Sequence, residues 1–267
     1  TASTAPWMTV GGETYLNFCS NDYLGLSQHP ETQAACHQGI DAFGVGATGS
    51  QWVCGYTEAH HDLAQALATW LGHEKVALFS SGYMANLGVL QALAHRHDWI
   101  FHDRENHASL IDAVRLTQCQ HTRYQRTKLD QLKTQLQACQ ASKRWLITDA
   151  VFSMSGAIAP LQALSELAQP DAVGLIVDDA HGIGVLGPQG QGTLAHTQCS
   201  PSAVTAHIIT FGKAFGTSGA AICGSQSIID TIEQHARSLA FTTAPPPAIA
   251  AATLASLRCI QNHPELN

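Results

Sequence analysis

Short apolar runs recur along the chain at residues 76–79, 99–101, 145–148, 174–177, 208–211 and 220–223. Each has the length of a strand and is apolar almost throughout, the pattern of a strand covered on both faces. Between several of them the apolar period changes to 3.6 residues. Residues 57–71 place Leu63, Leu67, Trp70 and Leu71 on one helical face, and Gly72 supplies the stop. Helical patterns also cover 31–42, 84–95 and 248–260, the last after a rigid turn at Pro245-Pro246-Pro247. Residues 127–142 are polar, with Lys128, Lys133 and Lys143 on or near them, and read as a solvated helical face. Strand, helix, strand order predicts an α/β fold with a mostly parallel sheet flanked by helices. Its ligands belong at the carboxyl ends of the strands.

Composition narrows the classes. With 267 residues, 45% of them hydrophobic, the chain can bury a large core. No run of about 18 apolar residues is present, so no membrane-spanning helix is expected. Thirteen Lys and Arg against 20 Asp and Glu leave a net charge of -7, which repels a phosphodiester backbone and argues against nucleic acid. No Lys or Arg precedes Lys75, so a basic targeting leader is not expected and a cytoplasmic location is. Eight cysteines without a CxxC pair fit reduced thiols better than a disulfide framework.

Three features carry candidate chemistry. Lys213 is one of five lysines, and it alone follows an apolar strand and stands between Gly212 and Gly216. An amine in such a turn is partly desolvated, which lowers its pKa and frees it for imine formation. The run 174–177 ends in Asp178-Asp179-Ala180-His181. Alternation of faces lets only one of the two acids enter a given pocket, and a metal site from Asp178, Asp179 and His181 is the rival reading. Ser80-Ser81-Gly82-Tyr83 joins a strand to a helix, so its free backbone N–H groups offer an anion cradle. An amine, a carboxylate and a phosphate cradle are what pyridoxal 5'-phosphate (PLP) asks of a protein. His107, at the start of another helix, is a candidate to stack on its ring. Gly44-Val45-Gly46-Ala47-Thr48-Gly49 matches GxGxxG, but it follows a helix rather than a strand, against a nicotinamide enzyme.

Six stretches in order carry a family resemblance: Asn21-Asp22-Tyr23-Leu24-Gly25-Leu26, Ser81-Gly82-Tyr83-Met84-Ala85-Asn86, Asn106-His107-Ala108-Ser109-Leu110, Val151-Phe152-Ser153-Met154, Val177-Asp178-Asp179-Ala180-His181-Gly182 and Thr210-Phe211-Gly212-Lys213. Together they resemble the α-oxoamine synthases, which use PLP on an aminotransferase-like type I fold. The resemblance implies a homodimer with Lys213 as the Schiff-base lysine, Asp178 on the ring nitrogen and His107 stacked on the ring. It places Ser81, Gly82 and Tyr83 beside the cofactor, with Ser153, His181 and Thr210 hydrogen-bonding to it. Thr243 would reach the phosphate of the neighbouring subunit. Catalysis would fall to Lys213, His107, Asp178 and His181, and substrate contact to Asn21 and His107; no metal is expected.

The spelling is nearest the alanine-using branch. That implies condensation of L-alanine with a pimeloyl thioester, on coenzyme A or a carrier protein, with loss of CO2 and free thiol, in biotin biosynthesis. A glycine-using relative and a non-catalytic PLP-binding fragment are the alternatives. Departures include Asp149 where the family often has Glu, Ser155 where an acid often follows Ser-Met, and no arginine before Lys75. The expected division is an N-terminal segment, 1–30, and a large PLP domain, 31–267, with the smaller C-terminal domain starting near where the chain ends. Without that domain, cofactor binding with poor turnover is expected.

Overall fold

An N-terminal antiparallel meander of β1 (Ala2–Thr4), β2 (Trp7–Val10) and β3 (Glu13–Leu16) forms a sheet of its own. In the computed structural model, which describes residues 2–4, 6–168 and 173–266, helices and strands then alternate. The first half runs α1 (Pro30–Phe43), α2 (Glu58–Leu71), β4 (Lys75–Phe79), α3 (Gly82–Leu93), β5 (Trp99–Asp103), α4 (Ala108–Thr117), β6 (Gln120–Tyr124) and α5 (Leu129–Ala138). The second runs β7 (Arg144–Asp149), α6 (Leu161–Ala168), β8 (Val173–Asp178), α7 (Thr193–His196), β9 (Ala206–Thr210), β10 (Ala220–Gly224), α8 (Gln226–His235), α9 (Arg237–Ala240) and α10 (Pro247–Asn262).

Seven strands make the central sheet in the order β4-β10-β9-β8-β7-β5-β6. All neighbours are parallel except β10, which runs against both β4 and β9. The sheet is therefore mostly parallel, as the alternating pattern predicts. Successive β9 residues show why both faces are apolar: Ile208 packs with Phe79, Leu90 and Ile147 on one side, while Ile209 packs with Leu67, Phe215 and Leu257 on the other. Each such side chain contributes about 1.5–3 kcal/mol by leaving water.

Local signals set the helix ends. Thr57 and His60 cap the start of α2 reciprocally, His60 Nε2 meets the Pro245 carbonyl at 2.7 Å, and Gly72 closes the helix at φ 71°. Elements outside the predicted pattern include the meander, β6, and helices α6 to α9. β6 is a polar edge strand in which only Tyr124 is buried, so it carries no apolar run. In the meander β2 and β3 are largely exposed, and the local signal that separates them from a loop is the two-residue Gly11-Gly12 turn between them. Gly44 ends α1, and 51–55 form a single π-helical turn, so the GxGxxG segment lies between two helical pieces rather than after a strand.

Register brings the functional ends of the sheet into one row. Asp149 of β7 is level with Asp178 of β8, and Ala220 at the start of β10 is level with both Thr210 and Phe79. Because β10 is reversed, its first residue lies beside the carboxyl ends of its neighbours, so the loops that follow β4, β7, β8 and β9 open on the same side.

Candidate active site

At that edge lies a cavity of about 310 Å³. It is lined by Lys213, Asp178, His107, His181 and Thr210, by Ser81, Gly82 and Tyr83, and by Asn21 and Ser153. Of the residues given a catalytic, cofactor or substrate role in the sequence, only Thr243 lies elsewhere. It is exposed, and its carbonyl accepts a hydrogen bond from Ser80 Oγ at 3.4 Å. The lining also includes Asn86, Ser109 and Asp149, to which the sequence assigned no site role.

Strand alternation sorts the two acids of β8 and its end. Asp178, 6% exposed, faces the cavity: Oδ2 accepts from Asn86 Nδ2 at 2.6 Å and Oδ1 from the Ala180 N–H at 3.0 Å. Asp179 turns into the protein, where it accepts from the Thr193 N–H at 2.7 Å and lies 3.3 Å from His207 Nε2. The two carboxyls are thus committed to different surroundings, and the rival metal set does not converge.

Lys213 Nζ is 3.0 Å from His181 Nε2, whose Nδ1 is 2.7 Å from the Tyr23 hydroxyl, itself 3.1 Å from Asn21 Oδ1. One direction of donation satisfies every member: Lys213 to Nε2, Nδ1–H to the tyrosine oxygen, and its O–H to Asn21. Burial, with the nearby Lys213 charge, pushes the His181 pKa down to about 4, so the ring is neutral at physiological pH. Burial also lowers the Lys213 pKa, against the opposing pull of Asp178 and Asp149. The amine is therefore easier to deprotonate than an ordinary lysine.

A second chain of contacts holds His107. Its ring caps α4 by accepting from the Ser109 N–H at 3.3 Å, with Ser109 Oγ 2.7 Å from Nδ1. Ser109 Oγ accepts from Asn86 Nδ2 at 2.8 Å, so one amide serves both Asp178 and the His107 support. The His107 N–H donates to Asp149 Oδ2 at 2.8 Å. Burial and the Asp178 charge raise the Asp149 pKa to about 8. Two of these three unassigned groups had a signal. Asn86 is a buried polar residue one turn into a mostly apolar helix, and Asp149, like Asp178, is an acid closing an apolar strand.

The loop after Lys213 is a tight turn in which the Gly216 N–H donates to the Lys213 carbonyl at 2.9 Å, with Gly216 at φ 65°. A Cβ there would collide with the Leu26–Ser27 backbone, so the turn and the Asn21-to-Ser27 segment pack directly on each other.

The sequence model of the aminotransferase class I and II family matches residues 13–266. Over 258 residues the chain is 47% identical to the 8-amino-7-oxononanoate synthase of Methylococcus capsulatus, covering 97% of this chain and 67% of that protein. The 8-amino-7-oxononanoate synthase structure from Francisella tularensis superposes with a TM-score of 0.80 at 35% identity, over 92% of this chain and 69% of its own. Serine palmitoyltransferase from S. paucimobilis with a bound PLP-myriocin aldimine gives 0.92 at 26% identity, over 97% and 67%. The chain thus spans about two thirds of the length of these relatives. A match from near the first residue to near the last, on the same fold and with relatives close to half identical, establishes that the chain belongs to the aminotransferase class I and II family of PLP-dependent enzymes.

Proposed function

We propose that the chain is the large, cofactor-binding part, 31–267 with its leading segment 1–30, of an α-oxoamine synthase that condenses L-alanine with a pimeloyl thioester in biotin biosynthesis. The observation that carries the reading is the meeting of a desolvated lysine, a buried carboxylate and a capped histidine in one cavity. The residues fit PLP: Asp178 presents a buried acceptor, and Asn86 Oδ1 is buried without a partner among the described residues. At Gly82 a Cβ would stand 2.6 Å from Thr210 Cγ2, so only glycine lets the start of α3 approach β9 there.

When bound, PLP supplies an electron-withdrawing ring that stabilises negative charge at the substrate carbon next to nitrogen. The chain's own residues would do the rest. Asp178 holds the ring nitrogen protonated; Ser81, Gly82, Tyr83, Ser153, His181 and Thr210 hold the remainder of the ring and its phosphate. Lys213 anchors the cofactor, then takes the α-proton of alanine and later returns one to the product. His107 stacks on the ring and orients the alanine carboxylate, which departs as CO2 once the new C–C bond has formed and the thiol has left. Asn21 contacts the acyl group.

The enzyme works as a homodimer in this reading, with Thr243 reaching the neighbouring subunit's phosphate. Thr243 lies outside its own cavity, and nearby Phe241 is 75% exposed, which supports an intersubunit role. Eight free cysteines support a reducing, cytoplasmic setting. The sequence relatives at 47% identity weigh more for substrate choice than the serine palmitoyltransferase at 26%, because selectivity follows lining side chains rather than overall shape.

The test is thiol release from pimeloyl and shorter acyl thioesters, on coenzyme A and on carrier protein, with alanine, glycine or serine. Alanine with the pimeloyl chain is expected to give the highest kcat/KM. A preference for glycine or serine overturns the substrate, and PLP binding without turnover by a protein of the relatives' full length overturns the activity.

A further inference from the structure

The seam between α1 and α10 holds a second group of chemically active side chains, none of which lines the cavity. His29 occupies the N-cap of α1, and Glu31 lies in its first turn. Cys259, 1% exposed, lies near the end of α10, packed against Leu257 and Ile260 of the core. Chain elements 230 residues apart thereby bring three different donor atoms to one point. Cys259 Sγ is 3.6 Å from His29 Nδ1 and 3.3 Å from Glu31 Oε2, and all three ligand atoms lie within 4.8 Å of one another.

The two separations to sulfur match edges of a coordination tetrahedron, and a rotation of the exposed Glu31 side chain brings its carboxylate to the third corner beside His29. With zinc–sulfur bonds of about 2.3 Å and zinc–nitrogen or zinc–oxygen bonds of about 2.0–2.2 Å, tetrahedral angles place sulfur about 3.5 Å from each of the other two ligands. The set is also chemically selective. A thiolate with an imidazole and one carboxylate suits a borderline-soft cation, whereas calcium and magnesium take oxygen ligands. Glu31 is exposed and His29 half-buried, so the side opposite the buried sulfur is open to water as a fourth ligand.

We propose that His29, Glu31 and Cys259 form a zinc-class divalent cation site that staples the start of α1 to the last turns of α10. Without a cation the thiol keeps its proton and donates it to Glu31, since burial and that carboxylate push the Cys259 pKa up to about 11. Binding replaces the S–H bond with an S–metal bond and releases the proton to solvent. The buried Thr32 Oγ1 to Ser256 Oγ contact of 3.1 Å, one turn away, shows that the two helices are already held in register there. A cation would add a link that only the folded chain can make, and so would raise its thermal stability by mass action.

The experiment uses the full chain loaded with PLP, titrated with Zn²⁺ and then dialysed before metal analysis. The wild type is expected to retain one zinc per chain and to unfold at higher temperature with zinc, whereas Cys259→Ser and His29→Ala do neither. Replacing zinc with Co²⁺ should give a thiolate-to-cobalt charge-transfer band that Cys259→Ser lacks. Visible cofactor absorbance, expected to be equal in all three proteins, reports folding and keeps failure here separate from failure of the proposed function. His29→Ala, at a half-buried position, carries the test if Cys259→Ser does not fold. Equal zinc retention by wild type and variants, or none by the wild type, overturns the site.

Discussion

Asp149 and Asp178 stand level on adjacent parallel strands and present both carboxyls to one cavity. Burial and the neighbouring Asp178 charge raise the pKa of Asp149 to about 8, far above that of an unfolded aspartate, about 3.9. The folded, cofactor-free chain therefore binds this proton more tightly than the unfolded chain does. The stability it contributes is complete below about pH 4 and is lost as pH rises through about 8. Asp149→Asn, which can still accept from the His107 N–H, should gain stability relative to wild type as pH increases, by on the order of a few kcal/mol at pH 8. Thermal unfolding of both proteins at pH 5 and pH 8 checks it; a gap that does not widen refutes it.

Lys213→Ala removes both the anchor and the proton carrier. Borohydride reduction should add the cofactor's mass to the wild type and not to the variant, and turnover should fall at least about 10³-fold. Intact-mass measurement reads the first outcome and thiol release the second. A variant that retains wild-type turnover would end the mechanism.

Tyr23→Phe leaves the His181 Nδ1–H without its acceptor. The loss of one hydrogen bond, about 1 kcal/mol, predicts a roughly 3- to 10-fold drop in kcat while PLP affinity stays unchanged. Steady-state kinetics beside a spectroscopic PLP titration separates the two. Equal losses in both would make Tyr23 a structural residue only.

Gly216→Ala combines a left-handed backbone with a collision against Leu26 and Ser27. It should destabilise the chain by roughly 2–4 kcal/mol. Denaturant unfolding measures this, and a cost near zero would mean that the Lys213 turn can relax.

How far these relations can be read from sequence depends on whether the signal is local. The buried strands announce themselves because both faces are apolar, as at Ile208 and Ile209, and Lys213 stands out as the lysine at the end of such a run. The polar β6 is held by pairing with β5 at the sheet edge, which no periodicity records. The same holds inside the cavity. The Tyr23 contact with His181 spans 158 residues and the Asn86 contact with Asp178 spans 92, so the motifs could be quoted while the bonds between them stayed invisible. Asp149 carries the same local signal as Asp178, an acid closing an apolar strand, but its meaning depends on which strand lies next to it.

The reversed strand β10 has a kinetic consequence. Its pairing with β9 joins Thr210 to Ala220 across a short hairpin, whereas β10 with β4 joins residues such as Ala220 and Phe79, far apart in the chain. Closing a short loop costs less entropy than closing a long one, so the β9–β10 hairpin can form well before the sheet is complete. The segment bearing the reactive amine is then shaped early in folding, while the carboxylate it must face arrives only when distant strands dock.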